Sequence, residues 1–126
     1  RGESGDDGSV YVAALWHARI LNLVLRLVED VLDADDVAAD ARSMSAIATQ
    51  AYQATLGTHH NWLLRPAAKA LLKMTPDRAT LLRDRFGYDV AEWNTALRRD
   101  FAAFAAALRS SLDSLEAIFS QYDDRI

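Results

Sequence analysis

Polar residues recur every three or four positions between residues 10 and 33, and nearly every position between them is apolar. This spacing places the polar side chains on one stripe of an amphipathic helix. The apolar arc that remains is wider than one packing partner requires, so the helix is either sandwiched between layers or lines a cavity. Residues 1–9 are polar and glycine-rich, and they predict a flexible lead-in. The polar stripe consists of Arg19, Asn22, Arg26, Glu29, Asp30 and Asp33.

The next predicted helix begins at an acidic cap, either Asp35 or Asp40, and continues through most of residues 51–76. Pro66 predicts a kink in this helix, because proline has no N–H to offer the carbonyl four residues back. Gly57 lies in the same stretch, where it weakens the helix by roughly 1 kcal/mol relative to alanine. A glycine at this position also allows another part of the backbone to approach closely.

Two more helices follow. A short one is predicted to begin at Thr75–Pro76 and to end near Phe86–Gly87. Residues 89–92 then resemble a capping box for the last helix. Beyond them, apolar residues recur every three or four positions from Trp93 to Tyr122, which predicts a seam of roughly 45 Å at 1.5 Å per residue. Because no segment has the alternation of a strand, the sequence predicts an all-α fold.

Composition narrows the classes of function. The 126 residues form one domain at most, half of them are hydrophobic, and the net charge of −4 argues against nucleic acid as a partner. No cysteine is present, no unbroken apolar run has the length of a membrane span, and the first residues are unlike a secretion signal. His59 and His60 are adjacent, a spacing unsuited to one metal ion. We therefore expect no enzyme activity, no metal and no cofactor.

One stretch carries a resemblance to a known family. Tyr52 is followed after eight residues by His60, then by Trp62, and then by a small apolar helix that closes on Thr75–Pro76. This order resembles the glycolipid transfer protein family, and a second match upstream covers residues 14–21. The resemblance implies a two-layer helical sandwich of the glycolipid-transfer type. It also implies that residues 10–126 are the C-terminal part of such a domain, here lacking its N-terminal helices.

The resemblance implies roles for three residues in binding the polar end of a lipid. His60 matches the histidine that donates to the ceramide amide carbonyl, although a lone histidine on an apolar helix is more often satisfied by a backbone carbonyl. Trp16 matches the tryptophan that stacks under the first sugar, although it could also be a core residue. Arg19 matches an arginine near the headgroup, or it forms a structural ion pair. Relatives that bind ceramide phosphate place arginines at the positions of Val12 and Trp16, so the sequence favours a sugar headgroup over a phosphate.

A second set of residues resembles the membrane-docking part of the family. An exposed tryptophan suits the membrane interface, and nearby cations favour an anionic surface by about 1 kcal/mol each. The alternative is an ordinary solvated basic face. His59 is expected at the surface without a role. The predicted docking set is Trp62, Leu63, Arg65, Lys69 and Lys73.

The resemblance also has gaps. The family's Asp, Asn and Lys that complete the headgroup centre belong to an earlier helix, which has no counterpart in this sequence, and Pro66 interrupts a helix that relatives continue. We therefore expect that the chain pairs with another copy or with a separate partner. The predicted function is binding of a sphingolipid, in particular a glycosylceramide, and its transfer between membranes in the cytoplasm. A lipid sensor or adaptor, and a helical interaction module without lipid, remain alternatives.

Overall fold

A computed structural model describes residues 2–126, with side chains from residue 8 onwards. Within these residues every regular element is helical and no strand occurs, which confirms the predicted all-α class. Short 3-10 turns at Leu56–Thr58, Val90–Glu92 and Ser120–Tyr122, and π-helical segments at Thr80–Arg85 and Trp93–Leu97, connect the longer elements. The four α-helices are α1 (Gly2–Leu32), α2 (Met44–Ala54), α3 (Leu64–Leu72) and α4 (Arg98–Phe119).

Helix α1 begins at Gly2, eight residues before the predicted start at position 10. The backbone of most of the expected lead-in is therefore helical, and Arg1 lies outside the described residues. The glycines misled the prediction, because extending a formed helix costs far less than nucleating one. The division of the chain into residues 1–9 and 10–126 stays a prediction.

By length and composition alone, the part of α1 from Gly8 to Leu32 could cross a membrane, with a mean hydropathy of 1.3. The expectation that no stretch reaches this length rested on unbroken apolar runs, and a few well-spaced charges interrupt those runs although the average stays high. Three of these charges are used in contacts: Arg26 pairs with Asp30 at 3.0 Å, and Glu29 pairs with Arg109 of α4 at 2.9 Å. The pair with Arg109 and the packing described below join this helix to α4, although only 17% of the segment is buried.

Helices α1 and α4 lie antiparallel and form the larger helix pair. The start of α1 meets the end of α4, since the rings of Tyr11 and Phe119 are 5.6 Å apart. At the opposite end Arg98 donates to the carbonyl of Leu32 at 2.9 Å, which places a cation at the negative end of the α1 dipole. One buried cluster between the two helices consists of Leu15, Ala18, Leu25, Leu112 and Phe119.

A second core cluster joins the C-terminal end of α1 to α2 and to the start of the last helix. Burial of its side chains, which include Leu82 of the segment Thr80–Arg85, removes apolar surface from water on four elements at once and fixes α2 against α1. This arrangement agrees with the prediction that α1 contacts more than one partner. The cluster contains Val31, Val37, Met44, Ile47, Leu82, Trp93 and Leu97.

The connection between α1 and α2 holds a partly buried ion network. Asp40 pairs with Arg42 at 2.8 Å and with Arg78 at 3.5 Å. The hydrogen bond from Arg42 is the main reason why the pKa of Asp40 falls from 3.8 to about 2. The prediction that Asp35 or Asp40 caps α2 is wrong. Ser43 caps this helix, because its hydroxyl accepts the backbone N–H of Ala46 at 3.0 Å.

The central stretch is two helices and not one kinked helix. Helix α2 ends at Ala54 and α3 begins only at Leu64. Local side chains compete for the backbone between them: the Thr55 hydroxyl donates to the carbonyl of Ala51 at 2.6 Å. Asn61 shapes the turn before α3, since its side-chain oxygen accepts the backbone N–H groups of Leu63 and Leu64, each at 3.0 Å. Pro66 therefore lies in the first turn of a new helix, where the missing N–H costs nothing.

The short helix after α3 begins slightly later than predicted. Asp77, and not Thr75, caps it by accepting the N–H of Thr80 at 2.9 Å. It ends at Gly87, whose positive φ of 82° is accessible to glycine at little cost. The long final helix is present from Trp93 onwards, but no side chain of the expected capping box at Asp89 caps its start. Its seam is buried in part only, and Phe104 and Tyr122 are exposed.

Candidate functional site

Trp16 and His60, predicted from separate parts of the sequence, lie side by side. Trp16 comes from α1 and His60 from the turn between α2 and α3, and their ring centroids are 5.8 Å apart with an interplanar angle of 31°. His59 also meets Trp16, edge-on at 6.5 Å. The prediction that His59 is a surface residue is therefore wrong in part, since it is half-buried. The adjacent histidines flank the indole because the turn places both rings on the α1 side.

Arg19 completes this aromatic group on α1. Its guanidinium carbon lies 4.7 Å above the Trp16 ring, and its Nε donates to the carbonyl of Arg125 at 2.8 Å. Among residues 8–126 it takes part in no ion pair, so the expected alternative of a structural salt bridge is not observed. The cation–π contact holds the indole face next to a fixed positive charge. We call Trp16, Arg19, His59 and His60 the aromatic cluster.

Tyr52 is buried and contacts the aromatic cluster through His60. Its hydroxyl lies 2.6 Å from Nδ1 of His60, and the residue is 2% exposed. His60 is therefore satisfied by a phenol and not by a backbone carbonyl. Burial raises the pKa of the Tyr52 hydroxyl above 10, so this group stays protonated. Sequence reasoning used Tyr52 only as a part of the motif, although its spacing of eight residues from His60 was the available signal.

Two adjoining apolar cavities open beside the same helices. Their volumes are about 290 and 320 Å³, and they share Val24, Val28, Phe86 and Phe101 as lining residues. Along α2 the lining residue Ala48 precedes Tyr52 by four residues, or about 6 Å at 1.5 Å per residue. The apolar space therefore begins one helical turn from the tyrosine that holds His60. The further lining residues are Leu27, Val31, Met44, Ala48, Leu72, Thr75, Leu81, Leu82, Tyr88, Asp100 and Phe104.

Helix α3 and the turn before it form an exposed apolar tip. Trp62 is 80% exposed and Leu63 is 64% exposed, and α3 itself contains no buried residue. Sequence reasoning named these two residues but missed others on the same helix, although the apolar residues of α3 recur with helical spacing. We call the apolar tip the set Trp62, Leu63, Leu64, Leu71 and Met74, all of which are at least 49% exposed.

The predicted cations lie next to the apolar tip. Arg65 donates through Nε to the carbonyl of Gly57 at 3.0 Å. Arg65 and Lys69 also line a polar cavity of about 220 Å³ together with Tyr52, Gln53, Gly57 and Thr58. Lys73 is exposed on the last turn. The arrangement joins apolar and basic groups on one helix that has little contact with the rest of the domain.

The described part of the chain holds no group of three or more side chains suited to a metal ion. The polar groups of the aromatic cluster are donors and aromatic faces. They can bind a carbonyl oxygen and the C–H face of a ring, and the cavity beside them can accept hydrocarbon. The site thus has the character of a binding site for an amphipathic molecule.

Comparison with known proteins identifies the class to which this fold and site belong. The model of the glycolipid transfer protein family matches residues 2–85. The chain therefore belongs to the glycolipid transfer protein family, as the motif around Tyr52, His60 and Trp62 predicted. No curated protein sequence matches the chain.

Two solved structures share the fold at low sequence identity. Mouse ceramide-1-phosphate transfer protein in its apo form has a TM-score of 0.72 at 18% identity, covering 90% of this chain and 53% of that one. The human ceramide-1-phosphate transfer protein in complex with 12:0 ceramide-1-phosphate has a TM-score of 0.73 at 15% identity, covering 90% and 51%. The chain thus spans about half the length of these proteins. The match confirms the expected all-helical glycolipid-transfer fold.

Proposed function

We propose that this protein binds a sphingolipid, in particular a glycosylceramide, and carries it between membranes without any covalent step. The observation that supports this most directly is the contact between Trp16 of α1 and His60 of the turn after α2, whose ring centroids are 5.8 Å apart. The same two helices, α1 and α2, line an apolar cavity further along. A flat indole suits the C–H face of a sugar, and the imidazole offers a donor to an amide carbonyl.

The cavity supports a ligand with long hydrocarbon chains. A two-chain sphingolipid has roughly thirty methylenes, and exposing them to water would cost on the order of 20 kcal/mol. A carrier must therefore provide an apolar enclosure. The two adjoining cavities of about 290 and 320 Å³ provide part of one, and their lining is almost entirely aliphatic and aromatic.

The headgroup is proposed to be a sugar. Val12 and Trp16, at the positions where phosphate-binding relatives are expected to carry arginines, provide no cation. Arg19 is the one cation of the aromatic cluster, and it is engaged by the Trp16 face and by the carbonyl of Arg125. A phosphate requires several charge-assisted donors, which this arrangement does not offer.

The apolar tip is proposed to dock on the membrane during loading and delivery. Trp62 and Leu63 would enter the interface, while Arg65, Lys69 and Lys73 would face anionic headgroups. An amphipathic helix without buried residues fits such a role, because docking removes its apolar side from water. We propose that the protein acts in this way at the cytoplasmic surface of membranes.

Transfer between vesicles tests the proposal. Donor vesicles carry labelled galactosylceramide, acceptor vesicles carry none, and labelled ceramide-1-phosphate in a parallel assay serves as the matched control for the headgroup. We expect galactosylceramide to move faster than it does without protein, and faster than the phosphate lipid. Transfer of the phosphate lipid alone would contradict the sugar assignment. Binding without transfer would indicate a sensor or adaptor.

Native mass spectrometry distinguishes a lipid carrier from a helical interaction module. Purified protein incubated with galactosylceramide vesicles should carry one lipid mass per chain or per fixed assembly. Clean protein that forms defined oligomers and never retains lipid would favour the interaction module, whose partner would cover the exposed side of α1.

A further inference from the structure

The contact between Tyr52 and His60 bears on which ring nitrogen of His60 carries the hydrogen. We propose that Tyr52 is a positioning residue, whose hydroxyl donates to Nδ1 of His60 and so holds the imidazole as the Nε2–H tautomer. In this form His60 can donate to a lipid amide carbonyl. The inference deepens the proposed function and rests on it for the identity of the acceptor. The tautomer itself rests only on the geometry within the protein.

The contact between Tyr52 and His60 is held in place by the backbone around it. Tyr52 belongs to the last turn of α2, and the 3-10 turn at residues 56–58 passes directly over it. A Cβ atom added to Gly57 would lie 2.8 Å from the carbonyl oxygen of Tyr52 and 3.0 Å from its ring. The turn can approach the tyrosine this closely only because residue 57 is glycine. His60 follows the turn and is thereby held above the phenol, with the rings 5.5 Å apart.

The direction of the hydrogen bond follows from the partners available to each group. A phenol can donate or accept, and a neutral imidazole has one N–H and one free nitrogen. If Nδ1 carried the hydrogen, the phenol hydrogen of Tyr52 would need a different acceptor. Among residues 8–126 the only side-chain hydrogen-bond partner of this hydroxyl is His60. Because an unpaired donor in a buried position is costly, the phenol donates and Nδ1 accepts.

The direction of this hydrogen bond determines which nitrogen of His60 can donate to a ligand. With Nδ1 occupied as an acceptor, the single N–H of the neutral ring is on Nε2. That N–H is the donor that His60 can present beside the Trp16 ring, 5.8 Å away. The ligand group it suits is an acceptor oxygen such as an amide carbonyl, and a donor group in its place would be repelled. Tyr52 thus favours a lipid with a carbonyl next to its headgroup, as in ceramide, without touching the lipid.

The tautomer is measured in the protein without lipid. Two-bond 1H–15N spectra of the histidine side chains distinguish the two neutral forms, because Nδ1 and Nε2 differ widely in shift when only one is protonated. We expect the Nε2–H form for His60 in the native protein and a mixture of tautomers in Tyr52→Phe. A native protein with Nδ1–H, or a Tyr52→Phe variant with an unchanged spectrum, would overturn the proposal.

The matched control is Tyr11→Phe. It removes a phenol hydroxyl that donates to Asp124, away from the aromatic cluster and from the apolar cavities, and keeps the ring that packs against Phe119. Galactosylceramide affinity is expected to fall about fivefold in Tyr52→Phe, and to stay unchanged in Tyr11→Phe. Equal loss in both variants would show that the effect follows from the general loss of a hydroxyl, and would overturn the role of Tyr52.

A double-mutant cycle with His60→Ala separates positioning from structural support. If Tyr52 acts through His60, Tyr52→Phe has no further effect on lipid affinity once the imidazole is absent. An additional fivefold loss in the double variant would contradict the proposal. If the native protein binds no galactosylceramide, the proposed function fails, whereas the spectrum of the lipid-free protein still decides whether Tyr52 sets the tautomer.

Discussion

The three tryptophans occupy three different environments, and replacing each by alanine should give three different results. Trp93 is 4% exposed in the core, Trp62 is 80% exposed at the apolar tip, and Trp16 is half-buried in the aromatic cluster. The same chemical change is made each time, so each variant is the control for the other two. The assays are thermal unfolding, galactosylceramide affinity in solution and partitioning onto vesicles.

The expected magnitudes follow from burial and contacts. Trp93→Ala removes a buried indole and should lower the free energy of unfolding by about 3–5 kcal/mol. Trp62→Ala should change it by less than about 0.5 kcal/mol, since the side chain has few partners. Trp16→Ala loses the contact with Arg19, 4.7 Å from the ring, and should cost about 1–2 kcal/mol of stability through this cation–π contact and partial packing.

The functional effects should follow a different order. Trp16→Ala is expected to lower galactosylceramide affinity tenfold or more, about 1.4 kcal/mol, because the sugar loses its stacking surface. Trp62→Ala should slow vesicle partitioning while leaving lipid affinity in solution nearly unchanged. Unchanged affinity in Trp16→Ala would make this residue a packing residue only. Equal losses of affinity and partitioning in Trp62→Ala would place it in the binding site and refute the docking role.

Three further predictions concern the surroundings of the site. Gly57→Ala should destabilise the protein by about 1–3 kcal/mol in chemical denaturation and weaken lipid binding, because the added Cβ would lie 2.8 Å from the Tyr52 carbonyl oxygen. An unchanged denaturation midpoint would refute the close packing. Asp40→Asn should lower the free energy of unfolding at neutral pH by about 1–2 kcal/mol after allowance for solvent screening. Because the pKa of Asp40 is lowered to about 2, the native protein should lose this amount of stability as the pH falls from about 4 towards 2. Equal acid sensitivity of the native protein and the variant would contradict the ion network. Val24→Phe should reduce lipid retention in native mass spectra by filling the space shared by the two apolar cavities, and retention equal to that of native protein would place the acyl chains elsewhere.

Periodicity predicted the class of fold and a few helix ends, such as the ends near Leu32 and Gly87, because burial of an apolar stripe is a local property of the sequence. It failed where side chains compete with the backbone. Thr55 and Asn61 break the central stretch into two helices through hydrogen bonds that no hydrophobic pattern reveals. Pro66 then begins a turn where a kink was expected. The start of α1 was missed for another reason, since a long helix can extend through glycines that would not nucleate one.

The candidate site was predictable in its members but not in its internal contacts. The motif placed Trp16 and His60 in one site, and the structure brings the two rings together. The contact with Arg125 and the direction of the Tyr52 hydrogen bond were not predictable. The carbonyl of Arg125 accepts from Arg19 across 106 residues of sequence, and a contact so distant has no signature in the spacing of residues. The direction of the Tyr52 hydrogen bond depends on burial.

The most direct test of the central claim is a nuclear magnetic resonance titration of the protein with galactosylceramide in bicelles. We predict that the resonances of the indole N–H of Trp16 and of the imidazole nitrogens of His60 shift together, with the same dependence on lipid concentration. The indole resonance of the buried Trp93 should not shift. Shifts confined to the exposed Trp62, with Trp16 and His60 unchanged, would contradict a lipid site between α1 and the turn after α2.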